Sequence, residues 1–126
     1  MAATAKSIRL GPAILNIAGI RAGDANQIAM QVKSGGTPID LTDQTLTAQA
    51  REEPSSLSAD IDGVITMVDE LLGKFILAWP GDDVTALLDG RETYKGVWDL
   101  QMTADGIVNF TIVAGTFEAE WDVTRP

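Results

Sequence analysis

Apolar residues in this chain recur at every second position over short runs and hardly anywhere at helical spacing. Ile28, Met30 and Val32 alternate with Gln27, Ala29, Gln31 and Lys33. Leu46, Ala48 and Ala50 alternate with Thr45, Thr47, Gln49 and Arg51, and Phe75, Leu77 and Trp79 with Lys74, Ile76 and Ala78. Tyr94, Trp98, Leu100 and Met102 share one parity; so do Val108, Phe110 and Ile112, and then Phe117, Ala119 and Trp121. Successive side chains of a strand point to opposite faces, so each run predicts a strand with one face on a core. Turn signals punctuate the runs: Ser34-Gly35-Gly36-Thr37-Pro38, Asp62-Gly63, Pro80-Gly81 and Asp105-Gly106, the Asp-Gly pairs being of hairpin type. Only Asp82–Leu88 reads as helix, with acidic residues at its start and Asp89-Gly90 past its end. Thr66–Leu72 also fits one helical turn. A parallel α/β fold needs long crossover helices that this pattern lacks. The expectation is an all-β chain: an antiparallel sandwich of about seven or eight strands with one short connecting helix.

A length of 126 residues suits one domain. We expect an N-terminal arm over 1–7, a single domain over 8–122 and a C-terminal tail over 123–126. The chain has no Cys and no His, which removes thiol nucleophiles, disulfides, imidazole bases and the usual zinc sites. Nine basic against 18 acidic residues give a net charge of −9, a field that repels a phosphate backbone and favours a basic protein partner. No apolar run reaches the length of a membrane span. Leu10–Ile20 follows Lys6 and Arg9 in the manner of a signal sequence, but Gly11, Pro12 and Asn16 interrupt it and no small-residue cleavage site follows. Synthesis in the cytoplasm without a signal peptide is the expectation.

The remaining candidates for chemistry are weak. Asp60-x-Asp62-Gly63 looks like part of a calcium loop, yet the twelfth position, where a Glu ligand belongs, is Leu71. Asp82-Asp83 and Glu52-Glu53 are adjacent in sequence and so do not face one another as an acid/base pair must. Gly11, Gly19 and Gly23 lack the Lys-Ser/Thr of a phosphate loop. We therefore expect no catalytic residue, no metal site, no cofactor and no enzymatic activity. Tyr94 follows the connecting helix and opens a strand, as does the tyrosine corner of immunoglobulin-like sandwiches, whose hydroxyl bonds upstream backbone. The parity of Trp79 and Trp98 places them in the core, while Trp121 could be core or interface. Ile14, Ile17 and Ile20 fit either a first strand buried on both sides or an arm lying on a neighbouring subunit. Glu118 and Glu120 share the face opposite Phe117 and Ala119, either in solvent or against a basic partner. Exposed tryptophans stacked on sugars would instead mark a carbohydrate-binding module, which needs at least two aromatics in line on one face.

Pro38-Ile39-Asp40-Leu41-Thr42-Asp43-Gln44-Thr45, followed by Ala48-Gln49-Ala50-Arg51, resembles the P-x-D-L-T-G-x-T…A-Q-x-R pattern of small β-sandwich domains in tailed-phage virion proteins. The baseplate upper protein N-terminal domain family and the long-tail-fibre-associated domains are the nearest of these. Gly73–Trp79 is similar to that family's G-x-F-x-L strand, and Asp82–Leu88 to its short helix. Gly90–Leu100 is similar to its G-x-Y-x-Y-D-L segment, Thr103–Gly106 to the hairpin after it, and Gly115-Thr116-Phe117 with Asp122–Arg125 to the closing strand. The resemblance spans residues 20–125. Asp43 stands where the family usually has Gly, and Trp98 where a Tyr is common. The resemblance implies a structural virion protein, associated with the tail or baseplate, that assembles with other virion proteins and with copies of itself. Because the sequence stops where the sandwich does, with no fibre module after it, a capsid decoration protein on the phage head is the alternative.

Overall fold

A computed structural model describes residues 13–104 and 108–121. The expected arm over 1–7, the tail over 123–126 and the Asp105-Gly106 turn lie outside the described residues, as do Gly11, Pro12 and the Asp122–Arg125 segment. Among the described residues the protein is mostly β, with one α-helix, and the strands form two main sheets.

The smaller sheet has three antiparallel strands: β3 (Gln27–Gln31), β9 (Lys74–Ala78) and β8 (Val64–Asp69), with β9 in the middle. The larger has six. Its centre is the long pair β10 (Thr93–Ala104) and β11 (Val108–Glu120), extended on one side by β6 (Gln44–Arg51) and β7 (Ile61–Asp62). On the other side β1 (Ala13–Ile14) and β2 (Ile17–Arg21) pair with β11. These two strands run parallel to β11, which corrects the expectation of a purely antiparallel fold. Parallel neighbours need a long connection between them, and here residues 22–107 separate the two. A two-residue hairpin, β4 (Lys33–Ser34) with β5 (Thr37–Pro38), turns at Gly35-Gly36.

The alternating residues meet in one core. Trp79, which follows β9, packs edge-on against Trp98 of β10 at 6.1 Å and Phe117 of β11 at 4.8 Å, so aromatic rings carried by the two sheets touch. Such edge contacts contribute about 0.5–1.5 kcal/mol each beyond the burial itself. The helix α1 (Gly81–Leu88) buries Val84, Leu87 and Leu88. Asp82 and Asp83 occupy its first turn, where the helix dipole favours negative charge. At its other end Arg91 donates from Nε to Leu88 O and from Nη2 to Leu87 O, and its guanidinium lies 5.5 Å from the Tyr94 ring centroid.

Three local expectations change. Asp62-Gly63 is not a hairpin: it carries the chain from β7 in the large sheet to β8 in the small one. A Cβ on Gly63 would lie 2.6 Å from Leu77 Cδ1 and 3.1 Å from Ala48 Cβ, so the crossing runs directly against the core and a side chain there would force Leu77 to shift. Thr66–Leu72 is strand as far as Asp69, and only Glu70–Leu72 forms a turn of 3₁₀ helix. Finally, Val108–Ile112 and Phe117–Trp121 are not two strands. They belong to one, β11 running to Glu120, and a bulge opposite Leu100/Gln101 leaves Ile112 without a cross-strand partner. The bulge shifts the inward parity from even to odd.

Candidate functional site

The residues singled out from the sequence do not converge on one site. Ile17 and Ile20 are buried in the protein's own core, as the first of the two alternatives has it and not as an arm on a neighbouring subunit, whereas Ile14 is 79% exposed. The reason is the crossing of Leu15 and Asn16 over Gly115. The Leu15 N–H donates to Ala114 O at 3.0 Å, the Leu15 carbonyl accepts the Trp98 indole N–H at 2.8 Å, and Asn16 Oδ1 accepts the Thr116 N–H at 3.0 Å. Ile14 precedes that crossing and faces outward, while Ile17 and Ile20 follow it and face in. Glu118 is exposed; Glu120 forms an ion pair with Arg21 at 3.4 Å, so it is engaged within the chain. Trp121 is half-buried and packs against the core.

Tyr94 is buried, but its hydroxyl does not bond backbone as the corner motif predicts. It donates to Asp60 Oδ2 at 2.6 Å. The same carboxylate oxygen accepts the Glu52 N–H at 3.2 Å, so Asp60 ties β10 to the segment after β6. Burial first, then the hydrogen bond to Asp60, pushes the Tyr94 phenol well above its usual value. Asp60, Asp62 and Asp83 line a cleft of about 340 Å³, but among the described residues no three carboxylates are placed to hold a metal ion. Asp62 is held by the Gln49 amide, which donates to its Oδ1 at 3.1 Å.

A broader groove of about 800 Å³ runs over the outer face of the six-stranded sheet. Ile14, Val97 and Ala114 form its apolar part, and Gln49, Asp99 and Thr111 polar points along it. Arg51 also borders it, but its guanidinium already donates to Ser56 O and Gln49 Oε1. Trp79 and Trp98 are 0% and 2% exposed, and Phe110 is the only aromatic side chain with large exposure among the described residues. The line of exposed aromatics that a sugar platform requires is not formed by them.

Two features escaped the sequence reading. One is Asn26, in the left-handed region at φ 47°. Its Oδ1 accepts the Arg21 N–H, and its Nδ2 donates to Arg21 O and Trp79 O, stitching β2 to the end of β9. The other is an apolar surface on the small sheet, where Val64, Val68, Leu71 and Leu72 are exposed. Its signal was present in Val64–Asp69, a run that is apolar at both parities. No protein-family model matches the chain, and no curated protein does either.

Proposed function

We propose that this protein is a non-enzymatic structural component of a tailed-phage virion, associated with the tail or baseplate, and that its two sheets form an immunoglobulin-like sandwich. It assembles by protein–protein contacts with other virion proteins and with copies of itself. The observation that carries this reading is the backbone at Asp43, which is left-handed at φ 64°. This is the position where the phage sandwich domains that the sequence resembles usually have Gly, the residue best suited to that conformation. The rest of the motif has matching structural work. Asp40 Oδ1 accepts the Thr42 N–H at 2.8 Å, and hydrogen bonding from Thr42 holds its carboxyl below the usual value. Leu41 is fully buried, and its N–H donates to Glu70 O. A motif whose residues serve the turn rather than a reaction centre supports a scaffold role. Burial of Trp79 and Trp98 weighs against a carbohydrate-binding module.

Immunogold electron microscopy tests this, with antibody against the chain applied to particles of the phage that encodes it. Gold at the tail end is expected. Gold over the heads would make it a capsid decoration protein, and unlabelled particles would sink the virion reading altogether.

A further inference from the structure

We propose that the open edge of β3 is a self-association surface: two copies of this chain pair β3 with β3, antiparallel about a two-fold axis at Ala29, and join their small sheets into one. This deepens the assembly reading above and rests on it only in expecting copies of the chain to associate. β3 lies at the edge of the small sheet, and among the described residues its one strand neighbour is β9. The backbone shows which groups are free. At the two ends of the strand the Val32 N–H donates to Gly73 O and the Asn26 carbonyl accepts the Trp79 N–H, so even-numbered residues turn toward β9. Alternate residues of a strand turn their N–H and C=O to opposite sides. Those of Gln27, Ala29 and Gln31 therefore face away from β9, and no described backbone group bonds them there. The hairpin of β4 and β5 does not cover this edge, because the Ile39 N–H returns to Val32 O on the β9 side. Soluble proteins usually blunt an open edge with charge, Pro or a bulge. Gln27–Gln31 has no charged residue and no Pro, and its register with β9 is unbroken.

The order of residues in the strand identifies the occupant. Antiparallel pairing centred on Ala29 sets Ala29 against Ala29, Gln27 against Gln31 and Ile28 against Met30. Amide thus meets amide and apolar meets apolar across the axis. Gln27, Ala29 and Gln31 become the hydrogen-bonded pairs of the new ladder, so the N–H and C=O that each turns outward both find partners. Ile28 and Met30 are half-buried at the rim of the core, and in the pair each covers the other. Asp24 lies before the strand and Lys33 after it, and among the described residues neither forms an ion pair. The same two-fold sets Lys33 of one copy opposite Ala25 of the other, next to its Asp24, so opposite charges meet at both ends. Against this stands the net charge of −9 on each copy. A strand of 5 residues also buries much less than the roughly 800 Å² per partner of a standard interface. The dimer is therefore reversible, and it tightens with salt, which screens the repulsion between copies.

Sedimentation equilibrium of the full chain, from micromolar to millimolar concentration, tests this. A monomer–dimer equilibrium is expected, with an association constant that rises at least about tenfold between about 0.01 and 0.15 M salt. Ala29→Pro removes an N–H that β9 does not use, and Ala29→Lys sets like charges against each other on the axis; each should weaken the dimer at least about tenfold. Ala29→Glu should do the same alone, and an equimolar mixture of the Ala29→Lys and Ala29→Glu chains should dimerise again. Val68→Lys, on the far strand of the same sheet, should leave the dimer intact. Amide hydrogen exchange at Gln27, Ala29 and Gln31 should slow as protein concentration rises, while Ile28 and Met30, bonded to β9, stay slow throughout. A chain monomeric at every concentration and salt, a dimer indifferent to the changes at Ala29 or dissociated by Val68→Lys, a mixture that stays monomeric, or exchange at Gln27, Ala29 and Gln31 independent of concentration would each overturn the proposal. A chain that dimerises through β3 but is absent from virions loses only the virion role. One found in virions but not paired at β3 loses only this surface.

Discussion

Tyr94 is the chain's one tyrosine, so its phenolate absorbance reports a single group. The folded protein holds that proton more tightly than the unfolded chain, whose value is near 10.0. The folded value being raised, the associated stability is fully present below pH 10 and is lost as pH climbs from there toward the folded value. Spectrophotometric titration should therefore show ionisation delayed past that of free tyrosine. Chemical denaturation should show an alkaline loss of stability that is smaller in Tyr94→Phe. If Tyr94 titrates normally in the folded state, the bond to Asp60 is not formed in solution. Asn26 is a second residue whose weight exceeds its size. Its side chain makes bonds at 3.0, 2.8 and 3.0 Å to the backbone of Arg21 and Trp79. Asn26→Ala should cost about 1–3 kcal/mol in urea denaturation, because it leaves part-buried backbone groups without partners. Neither role is legible in the sequence: nothing local to Asn26 announces Trp79, and nothing local to Tyr94 announces Asp60.

Among the elements, the pairing of β1 and β2 with β11 depends on Gly115. A Cβ there would collide with the Leu15 carbonyl oxygen and crowd Asn16 Oδ1. Gly115→Ala should push the N-terminal strands off β11 and cost about 1–3 kcal/mol, the range for inserting a methyl group into a packed site. Hydrogen exchange read residue by residue should then show faster exchange at Leu15 and Thr116 while β9 stays protected. Unchanged exchange at those amides would mean that the strands shift without detaching. The strands themselves were legible from alternation: β3, β6, β9 and β10 lie where Ile28, Leu46, Phe75 and Tyr94 begin their runs. The bulge in β11 was written there too, since inward residues change from even at Ile112 to odd at Phe117. Alternation can mark a break in parity, but it does not say whether the break is a loop or one extra residue.

For the whole molecule, charge is the dominant global property. Among the described residues Arg21–Glu120 is the one ion pair, set against a net charge of −9. Self-repulsion of that size opposes compaction, and salt shortens its reach from about 30 Å at 0.01 M to about 8 Å at 0.15 M. The midpoint of thermal unfolding, followed by circular dichroism, should rise over that interval; a flat response would mean that the acidic groups are spread too widely to repel. The order of residues along the chain is enough to show that it is mostly β, where the long strands fall, that Phe75, Leu77, Trp79, Trp98 and Phe117 form its core, and that His and Cys chemistry is absent. These follow from period-two geometry and composition, which belong to each residue and its near neighbours. It took the folded arrangement to show that β1 and β2 run parallel to β11, that Gly63 carries the chain between sheets, that Ile17 and Ile20 turn inward while Ile14 does not, and that Val64 and Val68 stay uncovered. Which strand lies beside which, and which apolar face finds a cover, depends on contacts between residues far apart in the chain, and no local pattern encodes them.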